Sequence, residues 1–214
     1  MLTSKNKIKI AQFDEFFSID YRFNINVSLI TAADIPNYEQ FLENMPTPFR
    51  IASEIHTLDQ SALRPIQAVS GVASQLMEYL NHQAQKIDLL VGYIISQQNI
   101  EENRYQALKF GGGGIIFQAE NNAEFNLGDY LDLKLFFSEY NSAVYCIGEI
   151  IAIDEFINHD ETIENNAQHK QYKVIYHHIR EEDRELLVRN SLHQQSKQLQ
   201  ALAQQRNQEK SAKE

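Results

Sequence analysis

Residues 110–137 read FGGGGIIFQAENNAEFNLGDYLDLKLFF, and this stretch decides the fold class. Four glycines, Gly111 to Gly114, precede Ile115-Ile116-Phe117. A Leu127-Gly128-Asp129 turn then opens onto Leu131, Leu133, Leu135 and Phe137, which alternate with Asp132, Lys134 and Phe136. That two-residue period belongs to a strand with one buried face. Glycines ahead of a strand mark a bulge, a tight barrel corner or a close approach to the backbone.

The pattern continues downstream. Val144–Ile153 and Tyr172–Ile179 read as further strands, with a polar, acidic loop from Asp154 to Gln171 between them. Several short strands at close spacing predict a small antiparallel β-barrel or sandwich. Glu181–Leu187 opens a final helix. Beyond Leu199 the sequence QALAQQRNQEKSAKE is rich in glutamine and charge, and it is expected to fray.

Upstream the period changes. Ile66, Val69, Ala73, Leu76, Leu80, Gln83, Ile87, Leu90 and Ile94 step alternately by three and four, an a/d heptad register running from Pro65 to Gln98. Pro65 suits a first helical turn, where its missing N–H costs nothing. Such a rod is roughly 50 Å long, more than one small barrel covers. Val72, Met77, Tyr79, Ala84, Val91 and Tyr93 fall at the flanking e and g positions, so the apolar stripe is wider than a two-stranded seam needs. That width implies either more than two helices in the bundle or a second contact such as the barrel; self-association is the expectation, and the alternative is a helix packed across its own domain. Gln83 would set register at the expense of stability.

Nearer the start, Phe23, Ile25, Val27 and Leu29 alternate with Asn24, Asn26 and Ser28 as a strand. A helical turn or two is expected over Pro36–Asn44, stopped by Pro46 and Pro48. The chain therefore divides into an N-terminal strand and helix region packing on the barrel (1–57), a heptad helix (58–100), the barrel with its C-terminal helix (101–195) and a flexible tail (196–214).

Hydrophobic residues make up 43% of the 214, so a real core is affordable. A net charge of −10 argues against nucleic acid or an acidic membrane as partner. A lone cysteine, Cys146, in an apolar run predicts a buried inert thiol in a reducing compartment. With no leader and no span-length apolar stretch, a cytoplasmic protein without membrane insertion is expected.

Catalytic signatures are missing. No Cys pair, HExxH or Gly-x-Ser-x-Gly elbow occurs, and the glycine run lacks the Gly-Lys-Ser/Thr ending of a P-loop. His177 and His178 are neighbours in a strand and should point to opposite faces. Asp129, Asp132 and Glu149 read as turn or solvated strand positions. A non-enzymatic chain with no metal or other cofactor is expected.

The succession FGGGGIIF, FNLGDYLDLKLFF, YCIGEIIAI, YKVIYHHI and REEDRELLVRNSLHQQ resembles the PilZ domain family. A heptad helix ahead of the Gly-Gly strand is similar to the atypical, tetramer-forming subfamily. The resemblance implies a small barrel, a homo-oligomer (a tetramer), and a place in cyclic di-GMP signalling. The family's ligand motifs, Arg-x-x-x-Arg and Asp/Asn-x-Ser-x-x-Gly, are altered here. With the last glycine set on Gly114, Gly111 stands at the serine and Lys109 at the Asp/Asn. Arg104 is the only arginine between Arg64 and Lys109, so no arginine pair precedes the barrel. Arg180 and Arg184 have the arginine spacing but read as a solvated helix start. The expectation is an oligomeric adaptor that contacts an unidentified signalling protein and lacks the standard ligand site. The alternative is a receptor that holds cyclic di-GMP through Lys109, Arg104, Gly111 and Gly114.

Overall fold

Six antiparallel strands close into a barrel in the order β1-β2-β3-β6-β5-β4. The strands are β1 (Ser18–Ile30), β2 (Arg104–Gly111), β3 (Gly114–Glu120), β4 (Tyr130–Phe137), β5 (Ser142–Ile157) and β6 (Gln168–His178). The computed structural model describes residues 4–52, 73–120, 125–137, 139, 142–157 and 168–211. Its helices are α1 (Ser4–Glu15), α2 (Tyr38–Asn44), α3 (Ala73–Ser96) and α4 (Glu181–Ser211), with a further helical stretch at 47–52.

The alternation that predicts β1 also places it. Phe23, Ile25 and Val27 point inward, while the strand pairs with β2 through Ile19↔Phe110 and Asn26↔Arg104 and with β4 through Ile25↔Leu135. It is a stave of the barrel, so the boundary that set residues 1–57 apart from a barrel at 101–195 is corrected. Without β1, both β2 and β4 would present open edges.

Inside, Ile25, Ile115, Leu131, Leu133 and Leu135 are fully buried. Phe23 stacks on Phe137 at 4.6 Å between centroids, and Phe117 stacks on Tyr172 at 5.1 Å. Cys146 is a free, fully buried thiol whose pKa burial pushes well up, as an inert core residue requires.

A second core lies on the outer face of β4 and β5. Phe41, Met45, Phe49 and Ala52 pack there against Phe136, Tyr145 and Ile147. Covering both faces explains why the alternation lapses at Phe136-Phe137. Asn37 starts α2 with a capping box: its side chain accepts from Gln40 N at 2.9 Å, and the Gln40 side chain accepts from Asn37 N at 3.0 Å.

Val91 and Ile95 join this outer core from the last turns of α3. The loop beyond is clamped by the buried Asn26, whose amide donates to Ile100 O at 2.7 Å and accepts from Ile100 N at 2.9 Å. The predicted start of the heptad helix, with Ile66 and Val69, lies outside the described residues.

Helix α4 caps the barrel with Leu186 and Leu187 and buries Asn190, Ser191 and Gln194 on the same side. It runs on to Ser211, through the stretch 196–211 where fraying is predicted. Alanine and glutamine there are good helix formers. Similarly, β5 reaches Ile157 and β6 begins at Gln168, so the loop expected from Asp154 to Gln171 is shorter at both ends. None of the described helices is long and apolar enough to cross a membrane.

Candidate functional site

The glycine run turns β2 into β3, and all four glycines are buried. Their role is close approach, because among the described glycines only Gly128 has a positive φ, 89°. A Cβ on Gly111 would lie 2.1 Å from the Phe17 carbonyl oxygen, and one on Gly114 2.1 Å from that of Val174. At Gly112 it would meet Val188 at 2.7 Å, and at Gly113 the Phe16 ring at 2.9 Å. The run is thus a floor on which α1, the segment after it, and α4 rest.

Cations surround this floor. Arg184 donates to Gly112 O at 2.6 Å, and its guanidinium lies 5.5 Å from the centre of the Phe16 ring. Lys173 stands 5.0 Å over the Phe13 ring and pairs with Asp14 at 3.6 Å. Arg180 grips the buried Asp183 carboxylate with two bonds, at 2.8 and 3.1 Å. The reading of Arg180 and Arg184 as a solvated helix start is therefore corrected: the first turn of α4 is packed down on β2–β3.

The sequence-derived site residues do not converge. Arg104 opens β2 and is held by Asn99 Oδ1 at 3.1 Å and Glu101 at 3.7 Å. Lys109 lies five residues along the same strand, about 17 Å away at strand rise. It pairs with Asp20 at 3.5 Å. Lys109 borders a groove of about 460 Å³ with Asp20, Tyr21, Arg22, Leu108, Ile116 and Gln171. Leu108 is an extra residue against β3, while on β1 Tyr21 and Arg22 together stand opposite Leu108, and these two bulges open the groove. Gly111 lies instead against the backbone of Phe17 and Ser18, and Gly114 against the Val174 carbonyl and the Phe13 ring of α1.

A polar cluster, at positions where strand alternation predicts solvated surface, lies on the β4–β5–β6 face. Glu149 is buried and pairs with Lys9 of α1. Burial raises the Tyr130 pKa, reinforced by the charge of Glu149 and a hydrogen bond to it. Asp132 accepts from the Tyr145 hydroxyl at 2.8 Å; burial raises the Asp132 pKa and drives that of Tyr145 far up. Helices laid over this face remove the water that strand alternation alone had predicted.

The two histidines are also corrected. Their rings lie 4.3 Å apart, because a bulge at Ile147/Gly148 breaks the alternation at the end of β6. His178 Nε2 donates to Pro36 O at 2.9 Å. The His177 pKa is lowered by burial first and by His178 next. Among the described residues no group of three or more His, Cys, Asp or Glu side chains is placed to hold a metal ion.

The remaining exposed feature is the heptad seam. Leu80, Ile87, Leu90 and Ile94 are 41, 44, 64 and 43% exposed, whereas the residues that hold α3 to the barrel, Val91 and Ile95, lie off the seam. Tyr79, Leu89 and Tyr93 widen the open apolar face. Gln83 is half-buried.

No family model matches the chain, and no curated protein matches it. Among solved structures, part of the chain is similar to the Bacillus subtilis inhibitor of motility MotI/DgrA, at 17% identity over 44% of this chain and 42% of that one, with a TM-score of 0.36. It is similar to the PilZ domain of YcgR from Escherichia coli, solved with c-di-GMP, at 12% identity over 49% and 82%, with a TM-score of 0.38. It is also similar to apo MrkH of K. pneumonia at 9% identity, over 46% of each chain, with a TM-score of 0.37. The match spans less than half of the motility inhibitor's own length, and all three scores are too low for a function to be read across.

Proposed function

We propose that this chain is a non-enzymatic, oligomeric PilZ-like adaptor that works through protein contacts in a cyclic di-GMP-related bacterial pathway. The observation that carries the reading is the open seam of α3. Its a/d residues Leu80, Ile87, Leu90 and Ile94 remain exposed although the same helix is anchored to the barrel through Val91 and Ile95. A contiguous apolar stripe of this kind on a soluble chain marks an interaction surface. Heptad spacing selects a second copy of the same helix as occupant. The stripe's width, with Tyr79 and Tyr93 beside the seam, favours more than two helices and hence the tetramer implied by the family resemblance. Barrels carried by such a bundle would present their outer surfaces to a signalling protein.

A ligand-binding reading stands second, on one observation: the groove at Lys109 places two cations, Lys109 and Arg22, beside apolar Leu108 and Ile116. Calorimetry with cyclic di-GMP at tens of micromolar protein separates the readings. The adaptor gives no heat; saturable heat abolished by Lys109→Ala and Arg22→Ala together would establish the receptor instead.

A further inference from the structure

We propose that α1 is a detachable cover over the glycine floor, ordered only while docked, so that access to this face is set by local unfolding of the N-terminal segment. The helix is poorly built to stand alone. It is 12 residues long, below the length at which isolated helices persist in water. Its charges also oppose its dipole: Lys7 lies in the first turn and Asp14 and Glu15 in the last, with no acidic residue at the start and no basic one at the end. Ile8 is left 59% exposed.

Docking supplies what the helix lacks. Of its described side chains only Phe13 is buried, set on Gly114 and roofed by Lys173. Just beyond its end, Phe16 lies on Gly112 and Gly113 beside Arg184. Two ion pairs, Lys9–Glu149 and Asp14–Lys173, complete the attachment. The barrel does not need α1 for closure, because its six strands pair only with one another. Release uncovers Gly113 and Gly114, Glu149 and the two cations Lys173 and Arg184 in one step.

Hydrogen exchange of the full chain tests this. The N-terminal peptide should exchange at least ~100-fold faster than the β4–β5 hairpin, as expected of a local opening. Phe13→Ala should speed it by roughly another 100-fold, or to the unprotected limit, from the loss of a buried ring, with barrel peptides unchanged. Gly113→Ala is the second variant, since the atoms nearest its added Cβ belong to the Phe16 side chain and the Phe13 carbonyl. It should speed exchange of the N-terminal peptide several-fold while leaving the barrel peptides unchanged. Equal protection of α1 and β4–β5, rising and falling together with denaturant, would overturn the proposal. So would loss of barrel protection in both variants.

Discussion

Arg184 Nη1 donates to the Gly112 carbonyl at 2.6 Å, so the first turn of α4 is tied to the glycine run by a charge-assisted bond. Its side chain is partly buried, and truncation leaves the carbonyl without this donor. Arg184→Ala should therefore lower unfolding free energy by about 1–3 kcal/mol. Urea denaturation followed by circular dichroism measures this. Arg184→Lys should recover part of the loss, because a single donor on a flexible stem can still reach.

The glycines themselves separate close packing from ligand contact. Gly111→Ala and Gly114→Ala drive a methyl into main-chain carbonyls that cannot move aside, and should cost about 3 kcal/mol or more. Gly112→Ala and Gly113→Ala press first on the Val188 and Phe16 side chains and the Phe13 carbonyl, and should cost about 1 kcal/mol. Thermal melts of the four variants give the ranking. A uniform, small effect would mean that the floor is not packed as described.

Acid stability should depend on His177. Its folded pKa lies below the ordinary 6.5 because burial and His178 disfavour the charged form. As pH falls from about 6.5, the unfolded chain takes up the proton first, so stability drops until the lowered folded pKa is passed. His177→Gln should flatten that slope in denaturation midpoints taken from pH 7.5 to 5.

Asp132 has the opposite sign. Burial raises its pKa above 3.8, partly offset by the Tyr145 hydroxyl and Lys134, so the folded state holds the proton more tightly. Its contribution is favourable below that value and is lost as pH rises through the folded pKa. Asp132→Asn keeps an acceptor for Tyr145 and removes the buried charge. It should be more stable than the parent at pH 7 and should lose the advantage near pH 4.

How far the sequence could be read follows from these same residues. Alternation at Phe23–Leu29 and Leu131–Phe137 was sufficient to find two staves of the barrel, and heptad steps were sufficient to find α3, because each depends on neighbours in sequence. Closure of β1 against both β2 and β4 pairs residues about 80 and 110 positions apart, and no local period encodes that. Glu149, Asp132 and the histidine pair depart from strand alternation for two reasons. Alternation tells which face a side chain takes, but not that α1 and α2 cover the outer face or that a bulge turns His177 and His178 together. Helix α1 left little trace, since its order comes from docking rather than from an amphipathic repeat. The glycine run is plain in the sequence, yet the groups packed on it, Phe13, Phe16, Phe17 and Val188, come from both ends of the chain.

Sedimentation velocity at micromolar concentration tests the central claim most directly, on the parent chain and on Leu80→Asp/Ile87→Asp. The parent should sediment as an assembly of more than two copies. The double variant should sediment as a monomer with an unchanged β-barrel circular dichroism spectrum, because both side chains are exposed on α3 in the single chain. A parent that is a stable monomer, or a double variant that assembles just as well, would contradict the account.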